Sequence, residues 1–252
     1  MNIKPFFGRL GGKSYRIQEI TSLFPNIDLY VEPFIGGGSV FLNTRAKQYV
    51  INDLDTDIYN MWNDLSKLTK TELNNVQIEK LTKEEFDYIK QYQPTNRLER
   101  FENNVMISKN SFAGIRRSYS SKKTINPISV LEKIKRVYHY LKRTKPKILN
   151  TDYKTIIKQY DSPTTFFFLD PPYSNSPQDY YSNVVDKNEL VKQLQSIKGK
   201  FLMTYDYSEE NMKLFKDFNI KIVNFHYSTS KQDVKEIIVS NYQIKNIFDI
   251  KK

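Results

Sequence analysis

Cysteine is absent from the 252 residues, which removes disulfides, thiolate metal sites and cysteine nucleophiles together. Histidine is nearly absent. His139 and His226 lie far apart with no metal-ligand spacing, so no metal site and no histidine-based catalysis are expected. No apolar run approaches the roughly 20 residues of a membrane helix, and the opening Met-Asn-Ile-Lys-Pro has no apolar signal segment. These absences lead us to expect a soluble, intracellular protein without membrane contact. Glycine is scarce too, and its placement is informative. Six of the eight glycines fall in two clusters, Gly8, Gly11, Gly12 and Gly36, Gly37, Gly38. Glycine lets backbone come close to a ligand, so clustering points to a binding surface rather than to ordinary turns.

Positive charge, by contrast, is abundant. The formal net charge is +11, and between Arg97 and Lys147 stand 14 Lys or Arg against 3 Asp or Glu. That one segment carries the whole excess, and the remainder of the chain is close to neutral. A neutral body with one basic segment is the footprint of a polyphosphate partner. A solvated basic face on a Lys- and Asn-rich chain is the plainer alternative.

The length suits one α/β core with a lobe inserted into it. Leu29-Tyr30-Val31 reads as a short strand and Glu32 to Ser39 as the loop after it. A helix is expected to begin near Ser39 with Val40, Phe41 and Leu42, and Tyr49-Val50-Ile51 is a second strand closing on Asn52-Asp53. Strand, glycine-rich turn, helix and strand ending in an acid is a nucleotide-binding half-unit, in which the acid can take both hydroxyls of a ribose. The glycines are not spaced as G-x-G-x-x-G, and Glu32 ahead of them would repel phosphate. The combination suits a cofactor with a cationic or neutral end, such as S-adenosylmethionine.

From Asp55 to about Lys147 the pattern changes. Asp55 to Leu68, Thr82 to Tyr92 and Ile128 to Leu141 read as helices. Between them, Arg116, Arg117, Lys122 and Lys123 around Phe112 and Tyr119 suit an arm or hairpin lying against DNA. The expected division is a core domain of residues 1–54 and 148–252 and an inserted lobe of residues 55–147. In the second part of the core, Lys147 to Leu149, Thr165 to Leu169 and Phe201 to Thr204 read as strands. Tyr153 to Gln159, Lys187 to Ile197 and Ser208 to Phe218 read as helices. Ile220 to Tyr227 and Glu236 to Tyr242 suit an antiparallel hairpin at a sheet edge.

The apolar run Phe166-Phe167-Phe168-Leu169 ends in Asp170-Pro171-Pro172-Tyr173. An exocyclic amine of a nucleobase is a poor nucleophile because its lone pair is delocalised into the ring. A carboxylate and a backbone carbonyl that accept its two N–H bonds localise that pair. The proline pair fixes φ and stiffens the loop, so the acceptors are in place before the base arrives. Tyr173 offers a ring face to an extruded base. Asp-Pro-Pro also ends strands for structural reasons alone.

Taken together, these motifs resemble the Dam-type (D12 class, alpha group) DNA adenine-N6 methyltransferases. The resemblance runs through Phe7 to Lys13, Val31 to Asn43, Asp170 to Tyr173 and Asp233 to Ile238. It implies a Rossmann-like fold with a mostly parallel seven-stranded sheet and an inserted, mainly helical target-recognition lobe with a hairpin. It implies methyl transfer from S-adenosyl-L-methionine to N6 of an adenine flipped out of double-stranded DNA. Cytosine-N4 or RNA-adenine methylation, and an inactive DNA-binding regulator, are the alternatives. By the resemblance Arg9, Lys13, Glu32, Phe34, Gly36, Gly38, Ser39, Asp53, Asp152, Tyr153 and Asp170 serve the cofactor. Asp170, Pro171, Pro172 and Tyr173 hold the target base, and Tyr180 and Tyr181 help close over it. Lys109, Asn110, Arg116, Arg117, Lys122 and Lys123 meet DNA. Arg9 stands where the family usually has Trp. One catalytic pocket needs no second subunit, so a monomer is expected, with a dimer on DNA as the alternative and a cognate restriction endonuclease as a candidate partner. The Lys-, Asn- and Ile-rich composition suits an AT-rich genome, bacterial, phage or viral.

Overall fold

In the computed structural model, residues 3–9, 12–13, 16–122, 124–172, 185–226 and 233–244 are described. Along the chain these give α1 (Ile17–Ser22), β1 (Leu29–Glu32), a 3-10 turn (Phe41–Asn43), β2 (Gln48–Asn52), α2 (Thr56–Lys67), α3 (Lys70–Asn75), α4 (Lys83–Gln91) and α5 (Arg97–Asn110). A second 3-10 turn (Phe112–Gly114), α6 (Pro127–Thr144), β3 (Lys147–Leu149), α7 (Tyr153–Tyr160) and β4 (Thr165–Leu169) follow. The chain continues as α8 (Lys187–Ser196), β5 (Lys200–Asp206), α9 (Glu209–Leu214), β6 (Asn219–His226) and β7 (Asp233–Ser240).

The strands form a seven-stranded sheet in the order β3-β2-β1-β4-β5-β7-β6. β1 pairs in parallel with β2 and with β4, and β4 with β5. β7 runs antiparallel to both β5 and β6, which is the expected terminal hairpin. β4 has neighbours on both edges, and all five of its residues are buried. A strand covered on both faces reads as an unbroken apolar run, hence Thr-Phe-Phe-Phe-Leu. The strand order reverses between β1 and β4. In open α/β sheets, ligands bind outside the carboxyl ends of the strands at such a switch point. Asp170 leaves β4 at that end, and Pro33 and Phe34 leave the adjacent β1.

The chain forms two compact units, one of residues 1–14, 36–43 and 53–150, the other of residues 15–35, 44–52 and 151–252. The core of the first joins Phe6, Phe7 and Phe41 to Trp62, Phe6 to Phe101, and Phe41 to Tyr140. Asp64, buried in α2, takes a two-pronged ion pair from Arg100 of α5 at 2.7 and 2.8 Å. In the second unit Phe24 packs on Phe166 and Phe168 of β4, and Tyr205 and Phe201 of β5 meet Phe215 and Phe218. Helix starts follow the local chemistry. Asp55, Asn96, Asn126, Asp152 and Ser208 each cap a helix, and Thr69 and Thr82 build full capping boxes; each such cap is worth about 1 kcal/mol.

Four elements depart from the sequence expectation, the unanticipated α3 (Lys70–Asn75) among them. The helix expected from Ser39 is only the turn Phe41–Asn43. The Asn43 amide donates to the carbonyls of Ser39 and Ile3, and the chain goes on toward β2. The helix expected over Ser208 to Phe218 stops at Leu214, because Phe218 folds back to donate to the Phe215 carbonyl. α5 was not anticipated at all. Its buried face mixes Phe101, Val105 and Ile107 with Asn103, Asn104, Ser108 and Asn110, and polar residues on the inner face blur the helical period.

Candidate active site

In the second unit, the carboxyl ends of β1 and β4 carry most of the chemistry. Asp170 follows β4, and its Oδ1 accepts the hydroxyl of Thr204 at 2.7 Å. Thr204 lies in β5, parallel neighbour of β4, and is fully buried. A buried side chain therefore holds one oxygen of the Asp170 carboxylate. Pro171, next along, is buried. Tyr173, Tyr180 and Tyr181 lie outside the described residues.

Glu32 ends β1 buried, its Oε2 accepting the Tyr30 hydroxyl at 2.7 Å. Asn52, buried at the end of β2, donates to the carbonyls of Pro33 and Thr151 at 2.9 Å and accepts the Thr151 N–H at 3.0 Å. One amide thus fastens the loop after β1 to the start of α7, and the rings of Phe34 and Tyr153 meet at 5.3 Å. Burial, with the neighbouring Asp152 carboxylate, pushes the Tyr153 phenol up to about 12, so it stays neutral over the working pH range. Asp152 caps α7 by accepting the Lys154 N–H at 2.8 Å.

In the first unit, Gly36 and Gly38 hold φ of 44° and 70°, left-handed values that glycine adopts without a steric penalty. The Gly36 N–H donates to Asp53 Oδ2 at 2.9 Å, and the Asp55 N–H to Asp53 Oδ1 at 3.0 Å. Trp62 Nε1 donates to the Gly36 carbonyl at 2.9 Å. Arg9 brings its guanidinium to 3.2 Å from Asp55 and 3.9 Å from Asp53. Burial raises the Asp53 carboxyl above its ordinary 3.8, and Arg9 and the two N–H donors oppose that rise. Lys13 and Ser39 are buried.

The expected DNA-facing residues divide into two groups. Arg117 and Lys122 are exposed, as is Phe112, and Lys109 is half-buried. Lys123 lies outside the described residues. Asn110 and Arg116, expected to meet DNA, turn inward instead. The Asn110 amide accepts the Leu81 N–H and donates to the carbonyls of Met106 and Glu79. Arg116 donates to the Asn104 carbonyl and side chain at 3.0 and 2.7 Å and pairs with Asp57 at 2.8 Å. The loop between them is a short hairpin, with Ser111 bridged to Tyr119, the Tyr119 hydroxyl on the Leu81 carbonyl and Lys90 on the Arg117 carbonyl.

Sequence reasoning missed Thr204 and Asn52 as positioning residues. Neither has a motif of its own, and only pairing across the sheet reveals what they hold. Among the described residues no cluster of His, Asp or Glu could hold a metal ion, and no helix is long and apolar enough to cross a membrane.

Residues 10–229 match the family model of the D12 class N6 adenine-specific DNA methyltransferases. The chain is 27% identical over 276 residues to the type II methyltransferase M1.LlaDCHI of Lactococcus lactis subsp. cremoris, covering 96% of each chain. It is 25% identical over 297 residues to the type II methyltransferase M.MjaIII of Methanocaldococcus jannaschii, covering 96% of this chain and 100% of that one. A shorter stretch, 95 residues at 35% identity, resembles the DNA adenine methylase of Serratia marcescens, over 33% of this chain and 35% of that one.

Proposed function

The chain belongs to the D12 class N6 adenine-specific DNA methyltransferases, and from that premise we propose which of its residues carry the reaction. The enzyme methylates N6 of adenine in DNA with S-adenosyl-L-methionine as the methyl donor. The observation that supports the assignment most is the position of Asp170. It leaves the central strand at the sheet's switch point with its carboxylate fixed by a buried threonine.

Asp170 and the Pro171 carbonyl accept the two N–H bonds of the target amine, which concentrates the nitrogen lone pair where it must attack. The nitrogen so held would accept the methyl group that the bound cofactor would supply, the electrons of the broken bond remaining with the cofactor. The surplus proton leaves the methylated nitrogen by way of the carboxylate already bonded to it. Catalysis comes from placement and fixed dipoles rather than from a strong base. The adenine leaves the duplex to reach this site, with Tyr173, outside the described residues, its expected stacking partner.

The donor set suits the cofactor. Each Asp53 oxygen accepts one backbone N–H, and a carboxylate oxygen has a second acceptor site for a vicinal ribose hydroxyl. Phe34 and Tyr153 present the aromatic surface that an adenine ring needs. Glu32 adds negative charge, which suits a positively charged methyl donor. Bound, the cofactor supplies an activated methyl group on a sulfonium. In the first unit Lys13, Gly36, Gly38 and Ser39 are the further cofactor candidates; in the second, Asp152 caps the helix that Tyr153 begins.

Residues 55–147 form the recognition lobe, in which Arg117, Lys122 and Lys123 contact phosphates while Arg116 and Asn110 hold the hairpin that carries Arg117. The protein works as a monomer in the compartment that holds DNA, and its likeness to type II methyltransferases makes a cognate restriction endonuclease the natural partner. Nucleoside mass spectrometry on unmethylated DNA, incubated with the protein and S-adenosylmethionine, should show N6-methyladenine. N4-methylcytosine in its place would overturn the assignment of the target amine.

A further inference from the structure

The N-terminal segment around Gly8 and Arg9 touches both functional parts of the first unit. Phe6 and Phe7 anchor it against Trp62, with ring centroids 5.6 and 6.0 Å away, and Phe6 also packs on Phe101 of α5. α5 leads into the hairpin of residues 110–120. Within that hairpin Gly114 has φ of 75°, and a Cβ there would overlap the carbonyl oxygen of Gly8. On the other side, a Cβ on Gly36 would stand 3.8 Å from Arg9 Cδ, and one on Gly37 3.5 Å from the Phe7 carbonyl. The same short segment therefore packs against the hairpin through Gly8 and against the glycine turn through Phe7 and Arg9.

Arg9 extends this contact to the carboxylates. It reaches Asp55 at 3.2 Å, while the other oxygen of Asp55 caps α2 through the Asp57 N–H at 3.0 Å. Its contact with Asp53 is longer, 3.9 Å, and falls on the same Oδ2 that accepts the Gly36 N–H. A charge-assisted hydrogen bond spans about 2.7–2.9 Å. A shift of the arm of about an ångström would therefore turn this loose ion pair into a direct bond on the carboxylate, or remove it. Close-packed interiors leave little slack to absorb such a shift.

We propose that Arg9 is a positioning residue that ties the hairpin around Gly114 to the Asp53 carboxylate, so that DNA engagement by the hairpin and ribose binding by Asp53 are thermodynamically linked. The proposal rests on the assignment of Asp53 to the cofactor ribose made above. Linkage is reciprocal, so each ligand changes the affinity of the other by the same factor.

The test uses labelled S-adenosylhomocysteine, which binds as the demethylated cofactor without turning over. Its Kd is measured by equilibrium dialysis with and without saturating unmethylated plasmid duplex. For the wild type, DNA should shift the Kd by about fivefold or more, the lower end of typical coupling between sites. In Arg9→Ala that factor should collapse toward one, and Arg9→Lys should restore part of it. A role confined to packing would weaken binding equally with and without DNA and leave the factor intact. Gly114→Ala should weaken S-adenosylhomocysteine binding even with no DNA present. An unchanged Kd on adding DNA to the wild type, or a full factor retained in Arg9→Ala, would overturn the linkage while leaving the cofactor assignment standing. A wild type that binds no S-adenosylhomocysteine would overturn both.

Discussion

Thr204 sits in β5 with no exposed surface, and its hydroxyl is bonded to one oxygen of Asp170 at 2.7 Å. Valine has the same shape without the donor, so Thr204→Val should leave the fold in place and release the carboxylate. A hydrogen bond to a charged group is worth about 1.5–3 kcal/mol, so kcat should fall by roughly 10- to 100-fold while cofactor KM changes little. Thr204→Ser should recover most of the loss, and an unchanged kcat in the valine variant would mean that the bond does not orient Asp170. Asp53 offers a test by pH. Its carboxyl is raised above 3.8 mainly by burial. A raised acid contributes its full share of stability below the unfolded value and loses it as pH climbs through the folded one. The Tm of Asp53→Asn minus that of the wild type should therefore increase as pH rises from about 3.8, then level off once Asp53 is ionised. A difference that does not depend on pH would show that burial does not tax this carboxylate.

The hairpin shows how much of an element a sequence conceals. Arg116 and Arg117 are adjacent and look equivalent as letters. Arg116 lies at φ of 66°, and a left-handed non-glycine residue persists only where its surroundings hold it. Asn104, Asp57 and the Ser111 hydroxyl, which accepts the Arg116 N–H at 3.0 Å, do the holding. Arg117→Ala should weaken DNA binding and reduce the salt slope of log K by about 0.9 per phosphate lost. Arg116→Ala should weaken binding by loosening the hairpin while leaving the slope as it was. Filter binding across a salt series separates the two, and a slope reduced equally by both would return Arg116 to the DNA surface. Strands and capped amphipathic helices were legible because apolar periodicity and Asp, Asn, Ser or Thr at the starts announce them. α5 was not, because its inner face carries Asn104, which accepts the Arg116 guanidinium, and Asn110, which bonds the backbone of Leu81 and Glu79.

At the scale of the whole molecule, the order of strands places the chemistry. β4, with strands on both edges, and the reversal of order between β1 and β4 put Asp170 and Phe34 on adjacent carboxyl ends. The buried run Phe166 to Leu169 and the Asp-Pro-Pro after it were plain in the sequence, as were the glycine clusters and Asp53. The partners of these groups were not, because Thr204, Asn52 and Arg9 act through contacts 19 to 99 residues away in the chain. The basic segment was visible as a charge excess, yet part of it is internal. Arg100 pairs with the buried Asp64 and Arg116 with Asp57, so part of the positive charge is balanced within the fold. On the proposed mechanism, one carboxylate at the end of β4 prepares the adenine amine for methylation. Single-turnover methyl transfer by Asp170→Ala, with S-adenosylhomocysteine and DNA affinities measured on the same preparation, tests it most directly. Transfer should be abolished while both affinities stay near those of the wild type; transfer at a near-normal rate would show that Asp170 does not prepare the amine.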